Sequence, residues 1–210
     1  FRAAPNADGT YTFSDGVTIN FNSYDAETGQ NNLIENIEQN GVHYYNLTWM
    51  EQSKPGVSGN YPWPWKDQMA SIVNVSMEGG LKPLHTEDMF YLASSLTHAE
   101  LSMLDTSAVT TMADMFNPSS SSTTTSYTGK LVELIGEENW NTSNVTNFSN
   151  MFYRQVQLPS DALGGLSGWD MSSGSNFSQM FRGCKALTQL DVSNWRMDTS
   201  VTNGTFYYMF

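Results

Sequence analysis

Trp140-Asn-Thr-Ser-Asn-Val-Thr-Asn-Phe-Ser-Asn-Met-Phe152 and Trp169-Asp-Met-Ser-Ser-Gly-Ser-Asn-Phe-Ser-Gln-Met-Phe181 decide how this chain is read. In both, Ser stands three places after the Trp (Ser143, Ser172), Phe eight places after it (Phe148, Phe177), and Met-Phe closes the segment. Two copies in register make a repeat. A third copy has Leu104 in the Trp slot and runs through Ser107, Val109 and Met112 to Met115-Phe116. A fourth, three residues longer, starts at Trp195 and closes on Met209-Phe210. The Met-Phe pairs at 89, 115, 151, 180 and 209 are separated by 26, 36, 29 and 29 residues. That is the span of one supersecondary unit with insertions.

Between the pairs a second pattern recurs. Leu187-Thr-Gln-Leu190-Asp-Val192 and Leu96-Thr-His-Ala99-Glu-Leu101 place apolar residues first, fourth and sixth. This is the strand signature of a leucine-rich repeat, with weaker forms at Leu131-Val-Glu-Leu134 and Leu163-Gly-Gly-Leu166. Alternation turns Leu190 and Val192 inward and Gln189 and Asp191 outward. After the Trp, the spacing of Val145, Phe148 and Met151-Phe152 predicts a short helix or 3₁₀ return, with Thr142 or Ser143 placed to cap it. One such unit cannot bury its own apolar face, so units must stack. The expected fold class is an α/β repeat solenoid of leucine-rich-repeat type, short strands alternating with short helical or 3₁₀ returns. Trp140, Trp169 and Trp195, with Leu104, should form one buried column, and Phe148 with Phe177 another.

Leu187-Thr-Gln-Leu-Asp-Val-Ser-Asn-Trp195, Thr142-Ser-Asn-Val-Thr-Asn147, Met180-Phe-Arg-Gly-Cys-Lys-Ala-Leu187 and Val75-Ser-Met-Glu-Gly-Gly-Leu-Lys-Pro83 resemble the BspA-like leucine-rich repeats of bacterial surface proteins. The resemblance extends from Ile72 to Phe210. It implies an extracellular solenoid, attached to the cell surface or wall through parts outside this fragment, and proposed for its family to be an adhesin. This chain departs from the pattern in the insert after Phe116, in the shortened stretch from Leu163 to Trp169, and in its last unit. The resemblance carries over no ligand residues.

Residues 71–210 are thus expected to hold four to five irregular units, truncated at the C-terminus. Residues 1–70 lack the repeat and should form an N-terminal cap or a small α+β or β-rich domain. Tyr11-Thr-Phe13 and Val17 to Asn22 read as two strands about a turn. Leu33 to Gln39 reads as a short helix ended by Asn40-Gly41, and Tyr44 to Met50 as a buried strand. Ile72 to Met77 reads as the first strand of the stack. Ser53 to Pro64 reads as a loop or linker, and the Ser- and Thr-rich stretch from Pro118 to Gly129 as a loop projecting between units.

Of the 210 residues, 39% are hydrophobic and 13% aromatic, which excludes a disordered chain. Nine Lys and Arg against 21 Asp and Glu leave a net charge of −12. Such a field repels phosphate backbones and anionic lipid, so neither nucleic acid nor a polybasic-type membrane contact is expected. No apolar run approaches the roughly 18 residues needed to span a bilayer, so no direct membrane insertion of this fragment is expected. The single cysteine, Cys184, permits no intrachain disulfide and reads as a small buried core residue. Seven Asn-x-Ser/Thr triplets occur, but three crowd at Asn141, Asn144 and Asn147 inside one repeat, where Asn and Thr serve turn backbone instead.

The sequence carries no catalytic signature. His43, His85 and His98 are isolated, with no ligand spacing for a metal, and there is no nucleophile elbow or phosphate-cradling glycine loop. Glu137-Glu138 is an adjacent pair without the spacing of an acid and base; an enzyme would need carboxylates converging in a pocket. No enzymatic activity and no cofactor are expected. The expected function is recognition: binding of a host extracellular protein or glycan, or of another microbial surface. Its candidate contacts are the clustered rings Tyr61, Trp63 and Trp65 and the outward strand positions His98, Glu100, Glu133, Gln189 and Asp191. Proline-fixed aromatic rings can present flat faces at low entropic cost, or can instead cover the end of the core. The alternative function is a structural spacer within a larger surface protein, with no ligand of its own.

Overall fold

The computed structural model describes residues 17–22, 36–39, 42–46, 63, 65–77, 81–119, 128–196 and 205–210. Six strands form one sheet: β1 (Val17–Asn22), β2 (Asn36–Gln39), β3 (Val42–Asn46), β4 (Ile72–Met77), β5 (His98–Glu100) and β6 (Glu133–Ile135), in the order β2-β3-β1-β4-β5-β6. All pairings are parallel except β2 with β3. The sequence places β4 correctly end to end. The helix expected over 33–39 is instead, at residues 36–39, a strand that pairs Ile37 with Tyr44 and Glu38 with His43. Tyr11 to Phe13 and the linker over residues 53–62 lie outside the described residues. β1 pairs with β4, so the sheet takes strands from both sides of residue 70.

The expected α/β solenoid of leucine-rich-repeat type does not form. Only β4, β5 and β6 make a ladder of the predicted kind. Leu187 to Val192 forms no strand, and Leu163 to Leu166 lies within the 3₁₀ segment Ser160–Gly168, which kinks at Leu163. The described residues contain no α-helix, only 3₁₀ segments at Lys66–Ser71, Glu137–Asn139 and Ser160–Gly168.

The return after each Trp fails to be helical for a specific reason. The residue before every Met-Phe pair is left-handed: Asp88 (φ 58°), Asp114 (57°), Asn150 (56°), Gln179 (58°) and Tyr208 (49°). A right-handed helix cannot run through such a residue. Asp and Asn, at three of the five places, are the types that tolerate it best. The backbone groups this leaves without helical partners bond the next turn along. Asp88, Asp114, Asn150 and Gln179 donate their N–H to Ala113, Ser149, Ser178 and Tyr207 carbonyls at 2.8–3.1 Å. Phe90, Phe116, Phe152 and Phe181 donate theirs to Met115, Met151, Met180 and Met209 at 2.8–2.9 Å. Isolated parallel bridges Thr111 to Asn147 and Asn147 to Asn176 continue the same tie.

Stacking turns in this way stacks their side chains. Trp65, Phe90, Phe116, Phe152, Phe181 and Phe210 form one continuous column, with centroids 6.0, 5.5, 5.5, 5.7 and 5.8 Å apart. Phe148, Phe177 and Phe206 form a second, at 5.3 Å per step. Trp140 stacks on Trp169 at 5.7 Å, both buried, with Leu104 buried as well. Trp195 is half-buried and lies against Phe177 at 6.5 Å. Offset-stacked rings at these distances contribute beyond the area they bury.

Candidate functional site

β6 is the last strand of the sheet, and the chain beyond it opens a cleft. Gly136 turns the backbone at φ 100°, where a Cβ would lie 2.4 Å from Ser102 Cα, so only glycine fits. Glu137–Asn139 then makes a single 3₁₀ turn. In the next unit no strand forms alongside β6, because the Leu163-Gly-Gly-Leu166 stretch coils into the Ser160–Gly168 segment. The space between holds a cavity of about 390 Å³, lined by Val132, Glu133, Leu134, Glu137, Glu138, Pro159, Asp161, Ala162, Gly164 and Gly165. Four of these are acidic and none is basic.

Glu137 is the fixed point of the cleft. Its carbonyl accepts the Trp169 indole N–H at 2.9 Å, and its Oε1 accepts the Gly165 N–H at 3.2 Å. The residue is 4% exposed, and its Oε2 is sealed from solvent beside the Glu138 carboxyl. Burial, and then a hydrogen bond between its carboxyl and that of Glu138, push its pKa up to about 7, against the Gly165 N–H. Glu138 is exposed at the rim, where its Oε2 accepts the Gly136 N–H at 3.1 Å. Asp161 is exposed on the opposite wall. Among the described residues no three His, Cys, Asp or Glu side chains are gathered tightly enough to hold a metal ion.

A second acidic group lies at the edge where the left-handed residues stack. Asp114 accepts Asn117 Nδ2 at 2.6 Å and Asn150 Nδ2 at 3.5 Å. Burial raises its pKa despite these donors. Asp88, one turn earlier, is pushed up to about 7 by burial and then by Asp114 and Glu87.

Of the candidate contacts, Glu133 lines the cleft and is 6% exposed. His98 is its register partner on β5, half-buried, with its pKa lowered by burial against the opposing effect of Glu133. Glu100 is buried, accepting the Met77 N–H at 3.0 Å and both the N–H and hydroxyl of Ser102. Gln189 and Asp191 are exposed but lie on no strand and away from the cleft lining; hydrogen bonds from Ser193 hold the Asp191 carboxyl below the usual range. Trp63 and Trp65 are inside the molecule, stacked at 5.2 Å, their indole N–H groups donating to the Glu87 and Met89 carbonyls at 2.8 and 2.7 Å. They cover the first turn of the core. Tyr61 lies outside the described residues. Glu137, Glu138 and Asp161 line the cleft; the sequence shows the Glu137-Glu138 pair without a spacing that assigns it a role, and does not single out Asp161. The one signal it offers for them is Gly164-Gly165, at the point where the repeat breaks.

A family model described as "Mycoplasma protein of unknown function, DUF285" matches residues 84–128 and 127–210. The chain belongs to this family. No curated protein and no solved structure matches it. The DUF285 match takes in all five Met-Phe turns and the whole cleft lining, while β1 to β4 precede it.

Proposed function

We propose that the chain is a recognition module of an extracellular, surface-attached bacterial protein, binding a host or microbial protein or glycan. The BspA-like resemblance of its repeats and the DUF285 match support a surface protein. The observation that carries the recognition role is the cleft beside β6. A recess of about 390 Å³ with four carboxyl-bearing residues and no basic one in its lining offers a concave, acidic surface to a ligand. No helix among the described residues is long and apolar enough to cross a membrane.

The test is capture of host matrix proteins, mucins, bacterial surface proteins and glycans by the purified chain on an array. Saturable capture supports the reading, and a blank array replaces it with the spacer alternative. Because Glu137 and Asp161 bring carboxyls into one pocket, the same glycans are followed for new reducing ends. Hydrolysis would overturn the non-enzymatic assignment.

A further inference from the structure

The fifth Met-Phe turn, residues 205–210, has one side stacked on the turn before it and the other side open. We propose that the open side docks a segment of a partner polypeptide with the pattern Phe-x-x-Met-Phe, which adds to the stack as one further turn. This surface shares no residue with the cleft lining and is independent of it.

The hydrogen bonds between turns run in one direction. Phe148, Asn150 and Phe152 donate their N–H groups to the Asn176, Ser178 and Met180 carbonyls at 2.8–2.9 Å, and Phe177, Gln179 and Phe181 donate theirs to Thr205, Tyr207 and Met209 at 2.7–2.8 Å. Each turn thus offers carbonyls backwards and N–H groups forwards. The backward end is shut, because the Trp63 and Trp65 indole N–H groups take the Glu87 and Met89 carbonyls, the places equivalent to Tyr207 and Met209. At the forward end the equivalent donors are Phe206, Tyr208 and Phe210, and none of their N–H groups bonds an acceptor among the described residues. Three donors at alternate residues call for three carbonyls at alternate residues, the main-chain complement that an added segment supplies. A second copy of this chain does not supply it. Its forward end would set donors against donors, and its backward carbonyls are held by Trp63 and Trp65.

The side chains point to the same occupant. Phe206 stacks on Phe177 at 5.3 Å and Phe210 on Phe181 at 5.8 Å, yet they are 38% and 72% exposed, against 0% and 2% for Phe177 and Phe181, which have a ring on either side. The two free ring faces match the Phe places of one more turn. The residues between them show that this step differs from the internal ones. Earlier turns hold Glu87-Asp88, Ala113-Asp114, Ser149-Asn150 and Ser178-Gln179 there, whereas this turn holds the exposed pair Tyr207 and Tyr208. Tyrosine is a poor choice for the left-handed place that Tyr208 occupies at φ 49°, and neither ring column uses the pair. Exposed tyrosines beside an apolar patch are what an interface with another polypeptide employs. Arg182 lies over the Tyr208 ring at 4.7 Å and holds it in place before a partner arrives.

The experiment titrates the whole chain with an acetylated, amidated peptide that has the sequence of residues 142–152, and with a counterpart carrying serine at both phenylalanine places. The variant is Tyr207→Ser with Tyr208→Asn, which restores the residues of the Ser149-Asn150 turn and so keeps the backbone. Weak saturable binding of the phenylalanine peptide is expected, since a free peptide must be ordered on docking, with none of the serine peptide. Affinity should fall by about tenfold or more in the variant, whose melting temperature shows that it is folded. Hydrogen exchange of the bound chain should slow at the Phe206, Tyr208 and Phe210 amides, the donors that the added carbonyls would take. No binding, equal binding of the serine peptide, unchanged affinity in the variant, or unprotected amides overturns the proposal. Dimerisation of the chain alone that is lost in Phe210→Ser would assign the surface to a second copy and overturn it as well.

Discussion

Asp88→Asn should stabilise the protein at neutral pH and leave it unchanged in acid. Asp88 holds a left-handed conformation at φ 58°, and Asn150, in the equivalent place two turns on, holds φ 56°, so asparagine needs no backbone change. The aspartate is the costly choice here, because it stands partly buried beside Glu87 and Asp114. Burial and these two carboxyls move its pKa from 3.8 to about 7. Fully realised, such a move corresponds to about 4 kcal/mol at 1.36 kcal/mol per decade. The group keeps some contact with solvent, which screens it, so about 1 to 2 kcal/mol is the working figure. A carboxyl whose folded pKa is raised contributes stability that is fully present below its unfolded value, near 3.8. That contribution is lost as pH rises through about 7. Urea unfolding of wild type and Asp88→Asn at pH 4, 6 and 8 should therefore give midpoints that nearly coincide at pH 4. They should separate progressively in favour of the variant towards pH 8. A gap independent of pH, or a variant less stable at pH 8, would refute the account of this edge.

The packing sets three further outcomes. Phe152→Ala removes a fully buried ring from between Phe116 and Phe181, at 5.5 and 5.7 Å; a loss of about 3 to 5 kcal/mol is expected in the same unfolding assay. Gly165→Ala would set a Cβ 2.5 Å from Glu138 Cα and should cost about 1 to 3 kcal/mol, whereas Gly164→Ala, facing open space, should shift the unfolding midpoint little. Cys184 is buried, donates to the Phe152 carbonyl at 3.0 Å, and has its pKa pushed up to about 12 by burial. Its reaction with a thiol-specific disulfide reagent at pH 8 should be slow in the native protein and become rapid only in urea; fast native labelling would contradict the burial.

The ring columns are legible in the sequence because they need only spacing. Trp140 and Trp169, Phe148 and Phe177, and the Met-Phe pairs hold the same places relative to one another within their units, and residues at equivalent places in stacked units meet. Trp195, expected in the Trp column, lies against Phe177 instead, in the unit whose spacing is three residues longer. Ile72 to Met77 is legible because apolar, β-branched residues dominate it. The helical return is a false expectation because Val145, Phe148, Met151 and Phe152 satisfy helical spacing whether or not the chain is helical between them. The decisive residue is Asn150, whose left-handed φ side-chain periodicity does not register. Leu187 to Val192 keeps the strand pattern without a strand on which to pair. The cleft is hidden for another reason: it exists where the repeat fails, so a search for regularity passes over it. Glu133 stands out in the sequence as an outward strand position, yet its place in the site comes from the coiling of residues 160–168, which the repeat pattern registers only as a shortened unit. Trp63 and Trp65 have the pattern of presented rings, and their indole N–H partners on the first turn are a tertiary fact that the Pro-Trp-Pro-Trp stretch does not encode.

Phe90 to Phe116 spans 26 residues and Phe116 to Phe152 spans 36, yet both steps of the column measure 5.5 Å. Extra residues in a unit therefore lengthen the chain's path without lengthening the stack. Units of different size can succeed one another in any order so long as each returns its Met-Phe to the same line. The rise of the stack follows the backbone hydrogen bonds that tie each turn to the next. Between two returns the core positions such as Leu104, Val109, Trp140 and Phe148 are held by the stack, while the exposed positions are left to vary, so such a chain can diversify what it displays while its internal scaffold stays the same.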